Sequence, residues 1–326
     1  MAASASDGRS AAGPVAPGTV YLVGAGPGAV GMLTVRAVEV LSSCDVVLYD
    51  RLVPLEIVRL ARSTAEVRYV GKEGNVNTVI MKGQQDDINS QLAELAKKGL
   101  SVCRLKGGDP MIYGRVGEEM EELAGAGVPY EIVPAVTAAL AAGADARVPL
   151  TFRKLATSLR ILTMNPTTTK DDNFDWQQFL ASATTYALYM GLSALPGVCE
   201  KLIAVGVPKD RPMAVVDRAS LPSMQVVAGT VGTLPSLVHG RTDLEGPAMC
   251  LLGDVVGLRE RLSGVAVPAP IPAAAPVADA AYAMALVALP SVATEGLERL
   301  KERIEALLAA RKGAGDEPPA KRPAAA

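Results

Sequence analysis

The order of segments predicts an α/β fold made of two α/β units, the first built on a mainly parallel sheet. Three observations carry this. Short apolar runs alternate with amphipathic helical stretches through the first third of the chain, the βαβα order that parallel sheets require. Two glycine-rich turns, GAGPG at 24–28 and KGGDP at 106–110, each follow an apolar run directly, so both sit where strands end. A second series of apolar runs follows residue 133, with one clear helix among them.

Taken in order, TVYLVG (19–24) is a strand, and GMLTVRAVEVLSS (31–43) carries Leu33, Ala37, Val38 and Leu41 at helical spacing. DVVLYD (45–50) is a strand ending on Asp50, LEIVRLAR (55–62) a helix and AEVRYVG (65–71) a strand. DDINSQLAELAKKG (86–99) reads as an amphipathic helix closed by Gly99. SVCRLK (101–106) is a strand, RVGEEMEELAGAG (115–127) a helix and PYEIVP (129–134) a strand. The small-residue stretch AVTAALAAGAD (135–145) is a helix. Strands follow at LRILTM (159–164), TTYALYM (184–190), MAVVDRA (213–219), QVVAGT (225–230) and AMCLLGDVV (248–256), with the helix ALPGVCEKLIAVG (194–206) among them.

The ends differ in composition. Residues 1–16 are Ala/Ser-rich without the apolar centre of a secretory signal, and read as a disordered leader or a weak organelle-targeting segment. Residues 266–326 read as a Pro/Ala linker, a charged helix at 293–313 and a disordered tail. In that helix Glu295 and Arg299 stand four apart and Glu298 and Lys301 three apart, spacing that suits ion pairs on a solvated face. The domains expected are therefore 17–133 and 134–265, between these two ends.

Composition excludes several classes. A net charge of −2 gives no global pull toward nucleic acid, and an aromatic content of 4% argues against stacking on single strands. No apolar run reaches the roughly 18 residues of a membrane span. Cys44, Cys103, Cys199 and Cys250 lie far apart in apolar runs and read as buried reduced thiols of a cytoplasmic protein. His239 is the single histidine and no CxxC occurs, so no metal is expected.

The first glycine loop leaves three readings open. It is a bare strand-to-helix turn, a dinucleotide loop, or one wall of another nucleotide-like site. Gly24, Gly26 and Ala29 fit the dinucleotide pattern, with Asp50 placed to hold a ribose, which suggests an NAD or FAD oxidoreductase. Against that, the following helix starts late, near Leu33 and Thr34, whereas a pyrophosphate needs the helix N-terminus directly behind the glycines. The second glycine turn also has no place in the dinucleotide reading.

Seven segments, VYLVGAGPGAVGMLT, DVVLYDRLV, YVGK, RLKGGDPMIYGRVGEE, VPAVTAA, VPLTFR and YMGL, resemble in order and rough spacing the uroporphyrinogen-III C-methyltransferase family of tetrapyrrole methylases. The resemblance runs from about residue 18 to 262. It implies two α/β domains with the active site in the cleft between them, usually in a homodimer. It implies S-adenosylmethionine (SAM) as methyl donor and no metal. The reaction implied is methylation of uroporphyrinogen III at two pyrrole carbons to precorrin-2, toward sirohaem or cobalamin.

For SAM, the family pattern points to Pro27, Gly107, Gly108, Asp109, Ile112, Thr137, Ala138, Met190 and Ala219. Asp109 before Pro110 is also a plain turn-former, and Met190 a plain core residue. For proton transfer the pattern points to Asp50 as acceptor and Lys72 as donor, with Arg115 and Glu118 as rivals. Those two stand three apart, which equally suits a surface ion pair. Arg115 and Arg153 are the motif-matched cations for a polycarboxylate substrate, ahead of Arg51, Lys106 and Lys154.

The chain departs from the family wording GDPFIFGRGGEE at Met111, Tyr113 and Val116, from PGVTAA at Ala135, and from PLTHR at Phe152. TMNP at 163–166 stands where the family has TGH, and the loop after Lys72 is longer. Val116 raises a backbone question, because a β-branched residue poorly adopts the positive φ open to glycine. The cofactor side is better kept than the substrate side. The alternatives are another tetrapyrrole or corrin methyltransferase and a non-catalytic SAM-binding descendant.

Overall fold

Ten strands form two five-stranded sheets in a computed structural model that describes residues 13–71, 82–169 and 174–264. The first sheet comprises β1 (Val20–Gly24), β2 (Val46–Tyr49), β3 (Glu66–Tyr69), β4 (Val102–Lys106) and β5 (Tyr130–Val133). Its order is β3-β2-β4-β1-β5 and all its pairings are parallel. Parallel strands are covered on both faces and so read as continuous apolar runs, as the fully buried VYLVG of β1 does. The edge strand β3 is the polar exception, EVRY.

Between these strands lie α1 (Val35–Leu41), α2 (Leu55–Val58), α3 (Lys82–Lys97) and α4 (Val116–Gly125). Val20, Leu22, Val46, Leu48 and Val102 face α3 and α4, which bury Leu92, Leu95 and Leu123 against them. Strand alternation sends Tyr21, Val23, Val47 and Cys103 to the other face, where they are equally buried. α1 starts late for a local reason. Residues 30–32 form one 3₁₀ turn, and Thr34 then caps α1, its Oγ1 accepting the Ala37 N–H at 3.1 Å.

The second sheet comprises β6 (Ser158–Thr163), β7 (Thr184–Tyr189), β8 (Pro212–Asp217), β9 (Gln225–Thr230) and β10 (Ala248–Leu252), in the order β6-β7-β10-β8-β9. Only β6 and β7 pair in parallel. β10, last in sequence, runs antiparallel between β7 and β8. The helices of this half are α5 (Ala138–Asp145), α6 (Pro166–Thr169), α7 (Leu195–Ala204), α8 (Leu234–Val238) and α9 (Arg259–Ser263). α7 packs on one face with Phe179 and Tyr186, while α5 lays Ala139 and Ala142 on the other against Ala187, Ala214 and Leu251. The short α6, α8 and α9 are not expected from periodicity, because four or five residues are too few to display it.

Both sheets belong to one compact unit. All four cysteines are buried and free. Among the described residues no helix is long and apolar enough to cross a membrane. The expected leader, the charged helix at 293–313 and the tail lie almost wholly outside the described residues.

Candidate functional site

The carboxyl ends of the parallel strands, where open α/β sheets hold ligands, are tied into a ring. Loop 24–29 meets the second glycine turn through a two-way backbone pairing: Gly26 N–H donates to Gly108 O at 3.2 Å, and Gly108 N–H to Gly26 O at 2.8 Å. Gly24 is where three segments touch. A Cβ there would stand 2.5 Å from Ala135 Cβ, 2.7 Å from Gly108 O and 2.9 Å from Pro110 Cδ. The turn is riveted to the segment before α5 by Asp109, whose Oδ2 accepts the Ala135 N–H at 2.7 Å and whose Oδ1 accepts the Met111 N–H at 2.8 Å.

The second sheet closes the ring. Tyr189, at the end of β7, has its hydroxyl bonded to Thr137 Oγ1 and accepting the Ala139 N–H at 3.2 Å. Tyr189 thereby satisfies an open N–H of α5, a task an N-cap side chain usually performs. The Tyr113 ring packs on that of Tyr189, centroids 5.1 Å apart, and its hydroxyl donates to Ile161 O of β6 at 3.0 Å. Burial pushes both phenols above their usual pKa. On the far side Ser220 Oγ accepts the Ala29 N–H at 3.1 Å, while Ser220 N–H donates to Asp145 at the end of α5 at 2.6 Å.

Beneath the ring runs a buried chain of charges. Strand alternation puts Arg104 and Lys106 of β4 on the face covered by α4. There Glu119, fully buried, takes Arg104 Nε at 3.1 Å and Lys106 Nζ at 2.7 Å. Arg104 Nη2 stands 3.7 Å from Asp50 Oδ2. Asp50 Oδ1 accepts N–H bonds from Leu52 at 3.2 Å and Gly107 at 3.4 Å. Burial, helped by neighbouring Arg104, lowers the Lys106 pKa against the opposing pull of Glu119 and Asp50.

The ring gathers most of the residues singled out from the sequence. Pro27 and Ile112 are half-buried beside the two glycine turns. Gly107 is needed for packing, since a Cβ would stand 2.5 Å from Leu52 Cβ. Gly108, at φ +70°, has open space where a Cβ would point. Thr137 and Ala138 start α5, and Met190, at φ 56°, is 46% exposed just past Tyr189. Ala219 lies between Arg218 and Ser220, both at positive φ.

The remaining residues differ in their surroundings. The oxygens of Asp109 each hold a backbone N–H, so its turn-forming role is the one realised among protein groups. Arg115 and Glu118 pair with each other through two bonds, Nε–Oε1 at 2.8 Å and Nη2–Oε2 at 2.5 Å, the surface contact their spacing allowed. Lys106 is buried against Glu119, which corrects its standing as a spare cation for substrate. Arg51, Arg153 and Lys154 are exposed, and none enters the contacts that knit the ring. Lys72 lies outside the described residues, as does the loop after it.

The departures from the motif also find physical reasons. Val116 needs no positive φ, because it is the first residue of α4 and its side chain is buried. The left-handed positions fall on Tyr113 and Arg115, both at φ 54°. Ala135 packs directly on Gly24. The buried trio of Arg104, Lys106 and Glu119 was missed as a unit. Its signal was two cations two residues apart inside the apolar strand VCRLK, followed by GEE.

The glycine spacing, the late α1 and the ring between two sheets define a class. The chain belongs to the tetrapyrrole (corrin/porphyrin) methylases, whose family model matches residues 19–235. It is 45% identical over 249 residues to a siroheme synthase of Pseudomonas fluorescens SBW25, covering 76% of this chain and 52% of that protein. A siroheme synthase of Methylobacillus flagellatus is 43% identical over 263 residues, covering 80% and 54%. The chain thus spans about half the length of the curated relatives it matches.

Among solved structures, a uroporphyrin-III C-methyltransferase of Thermus thermophilus aligns with a TM-score of 0.61 at 38% identity, covering 75% of this chain and 96% of that one. A Thermus thermophilus structure of that name complexed with S-adenyl homocysteine aligns at 0.61 and 35%, covering 74% and 99%. A cobalt precorrin-4 methyltransferase aligns at 0.63 and 27%, covering 73% and 96%.

Proposed function

We propose that the chain binds SAM within the ring and methylates uroporphyrinogen III at two pyrrole carbons, giving precorrin-2 for sirohaem or cobalamin synthesis. The observation that carries this is the mutual pairing of Gly26 and Gly108 beside Gly24, which joins both glycine turns into one wall. A dinucleotide would want a helix behind the first turn, and α1 begins only at Val35. The similarity to uroporphyrin-III C-methyltransferases and siroheme synthases supports the substrate.

Three features of the ring favour a bound ligand. Gly108 leaves its Cβ position open, Met190 offers an exposed apolar side chain, and the buried turn around Asp109 holds this wall in place before any ligand arrives. In this reading Pro27, Gly107, Gly108, Ile112, Thr137, Ala138, Met190 and Ala219 hold the ligand, and Asp109 keeps the turn in shape. SAM supplies an electrophilic methyl group when bound. The chain's own work is to align the pyrrole carbon with that methyl, exclude water, and take up the proton the methylated ring then loses.

Asp50 is the acceptor in this proposal, with two backbone N–H groups and Arg104 fixing its oxygens. Lys72 is the proposed donor. Arg115 and Arg153 are the proposed cations for the substrate carboxylates, Arg115 by exchanging Glu118 for substrate. A homodimer is part of the same proposal and is read by light scattering. The similarity to a cobalt precorrin-4 methyltransferase motivates a second reading, a later corrinoid as substrate.

Calorimetry of SAM against the purified protein tests the cofactor, with NAD and FAD as comparison ligands. SAM binding that Gly108→Ala weakens is the expected result. Binding of NAD or FAD in place of SAM would sink the proposal. For the chemistry, an Asp50→Ala variant that keeps full turnover would overturn the acceptor assignment.

A further inference from the structure

The four charged groups beneath the ring have one open end, and it is Asp50. Arg104, Lys106 and Glu119 are buried to 4%, 3% and 0% exposure, whereas the Asp50 side chain keeps 26%. Arg104 is aligned with Leu22 and Leu48 in the middle of the first sheet. Cations in such a place are costly unless anions accompany them, and apolar residues of like volume serve packing as well or better. Glu119 balances only one of the two cations it touches. The second negative charge is Asp50, 3.7 Å from Arg104 Nη2. The set is neutral only when Asp50 is counted in it.

The arrangement is directional. Glu119, in the first turn of α4, holds Arg104 by its Nε and thereby fixes the plane of the guanidinium. Nη1 of Arg104 is taken by Leu48 O at 3.4 Å and Leu105 O at 3.2 Å, which leaves Nη2 turned toward Asp50. The other Asp50 oxygen takes the Gly107 N–H, the first amide of the glycine turn. One carboxylate is thus held from below by Arg104 and from the front by that turn.

We infer that Arg104, oriented by Glu119, is a positioning residue that fixes the Asp50 carboxylate for the proton-removal step of the proposed methyl transfer. Lys106 completes the charge balance at Glu119 and does not meet substrate. The inference rests on the methyltransferase reading above and on Asp50 as acceptor. It goes beyond that reading by giving a fully buried trio a part in the reaction.

A double-mutant cycle on the whole protein tests it: wild type, Asp50→Asn, Arg104→Gln and the pair, assayed for turnover of uroporphyrinogen III with labelled SAM. Misplacing a reacting group costs on the order of ten-fold or more in rate. Arg104→Gln is expected to lower kcat by that much, with the KM for SAM held within about two-fold. In the Asp50→Asn background the same change is expected to do nothing further to kcat. A structural role alone gives multiplying losses in the pair, and that result overturns the inference. Should Arg104→Gln not fold, the charge-balanced Arg104→Gln/Glu119→Gln pair takes its place in the cycle. Arg104→Lys, which keeps the charge and loses the planar fork, is expected to restore only part of the rate. A wild type without turnover removes the methyltransferase reading and the inference together. An active wild type with a fully active Asp50→Asn variant removes the inference and leaves the methyltransferase reading standing.

Discussion

Gly24→Ala is the sharpest test of how the ring is built. The added methyl has no place to go, with Ala135 Cβ, Gly108 O and Pro110 Cδ all within 2.9 Å of it. Ordinary contact between such atoms is about 3.5–4.0 Å, so each neighbour must retreat by roughly an ångström. None of the three is the end of a flexible side chain, and Gly108 is also paired to Gly26. Overpacking by one methyl costs about 1–3 kcal/mol, and a site this rigid belongs at the upper end. For a chain of this size that is a fall in melting temperature of roughly 3–6 °C. The assay is urea and thermal unfolding followed by circular dichroism, with SAM binding measured alongside. Gly117→Ala is the control. It lies in the first turn of α4, where a Cβ meets nothing within 4 Å, so the same methyl is expected to stabilise by about 0.5–1 kcal/mol. If Gly24→Ala matches the wild type in stability, or if both variants fall alike, the reasoning from close approach is wrong.

Other outcomes follow from particular contacts. Glu119→Leu strands two buried cations and is expected to cost about 3–5 kcal/mol in denaturant unfolding, with Glu119→Gln costing less. Tyr189→Phe removes the acceptor of the Ala139 N–H and the partner of Thr137, and is expected to cost about 1–2 kcal/mol while raising exchange of the first α5 amides. Burial pushes the thiols of Cys44 and Cys250 from 9.0 up to about 12, and Cys199 up to about 11. Between those values the unfolded chain has released protons that the native chain keeps, so stability is expected to fall as pH rises from about 9 toward 12. Cys250→Ala should flatten that slope even though it lowers stability overall, and an unchanged slope would refute the assignment.

The inner strands were legible because the sheets bury them, and burial on two faces leaves unbroken apolar runs such as VYLVG. The late start of α1 was legible too, since Thr34 is a capping residue standing before the periodic stretch. Sheet direction in the second half was not. Strand sequences carry burial and little about orientation, so the insertion of β10 between β7 and β8 leaves no mark on AMCLL. The site divides the same way. Glycines announce where backbone turns tightly, and the turns at 24–28 and 106–110 do meet. The function of a polar side chain depends on partners far away in sequence. Asp109 and Ala135 stand 26 residues apart, Thr137 and Tyr189 stand 52 apart, and no local pattern encodes either contact. The concern over Val116 arose from counting the glycine position by motif, whereas the strained backbone falls one residue earlier, on Arg115.

In the proposed function, this ring transfers methyl groups from SAM to a tetrapyrrole. Incubating the purified protein with methyl-labelled SAM and freshly reduced uroporphyrinogen III, and resolving the products by mass, tests it most directly. Label is expected in a dimethylated product that passes through a monomethylated one. SAM bound without any labelled tetrapyrrole would contradict it.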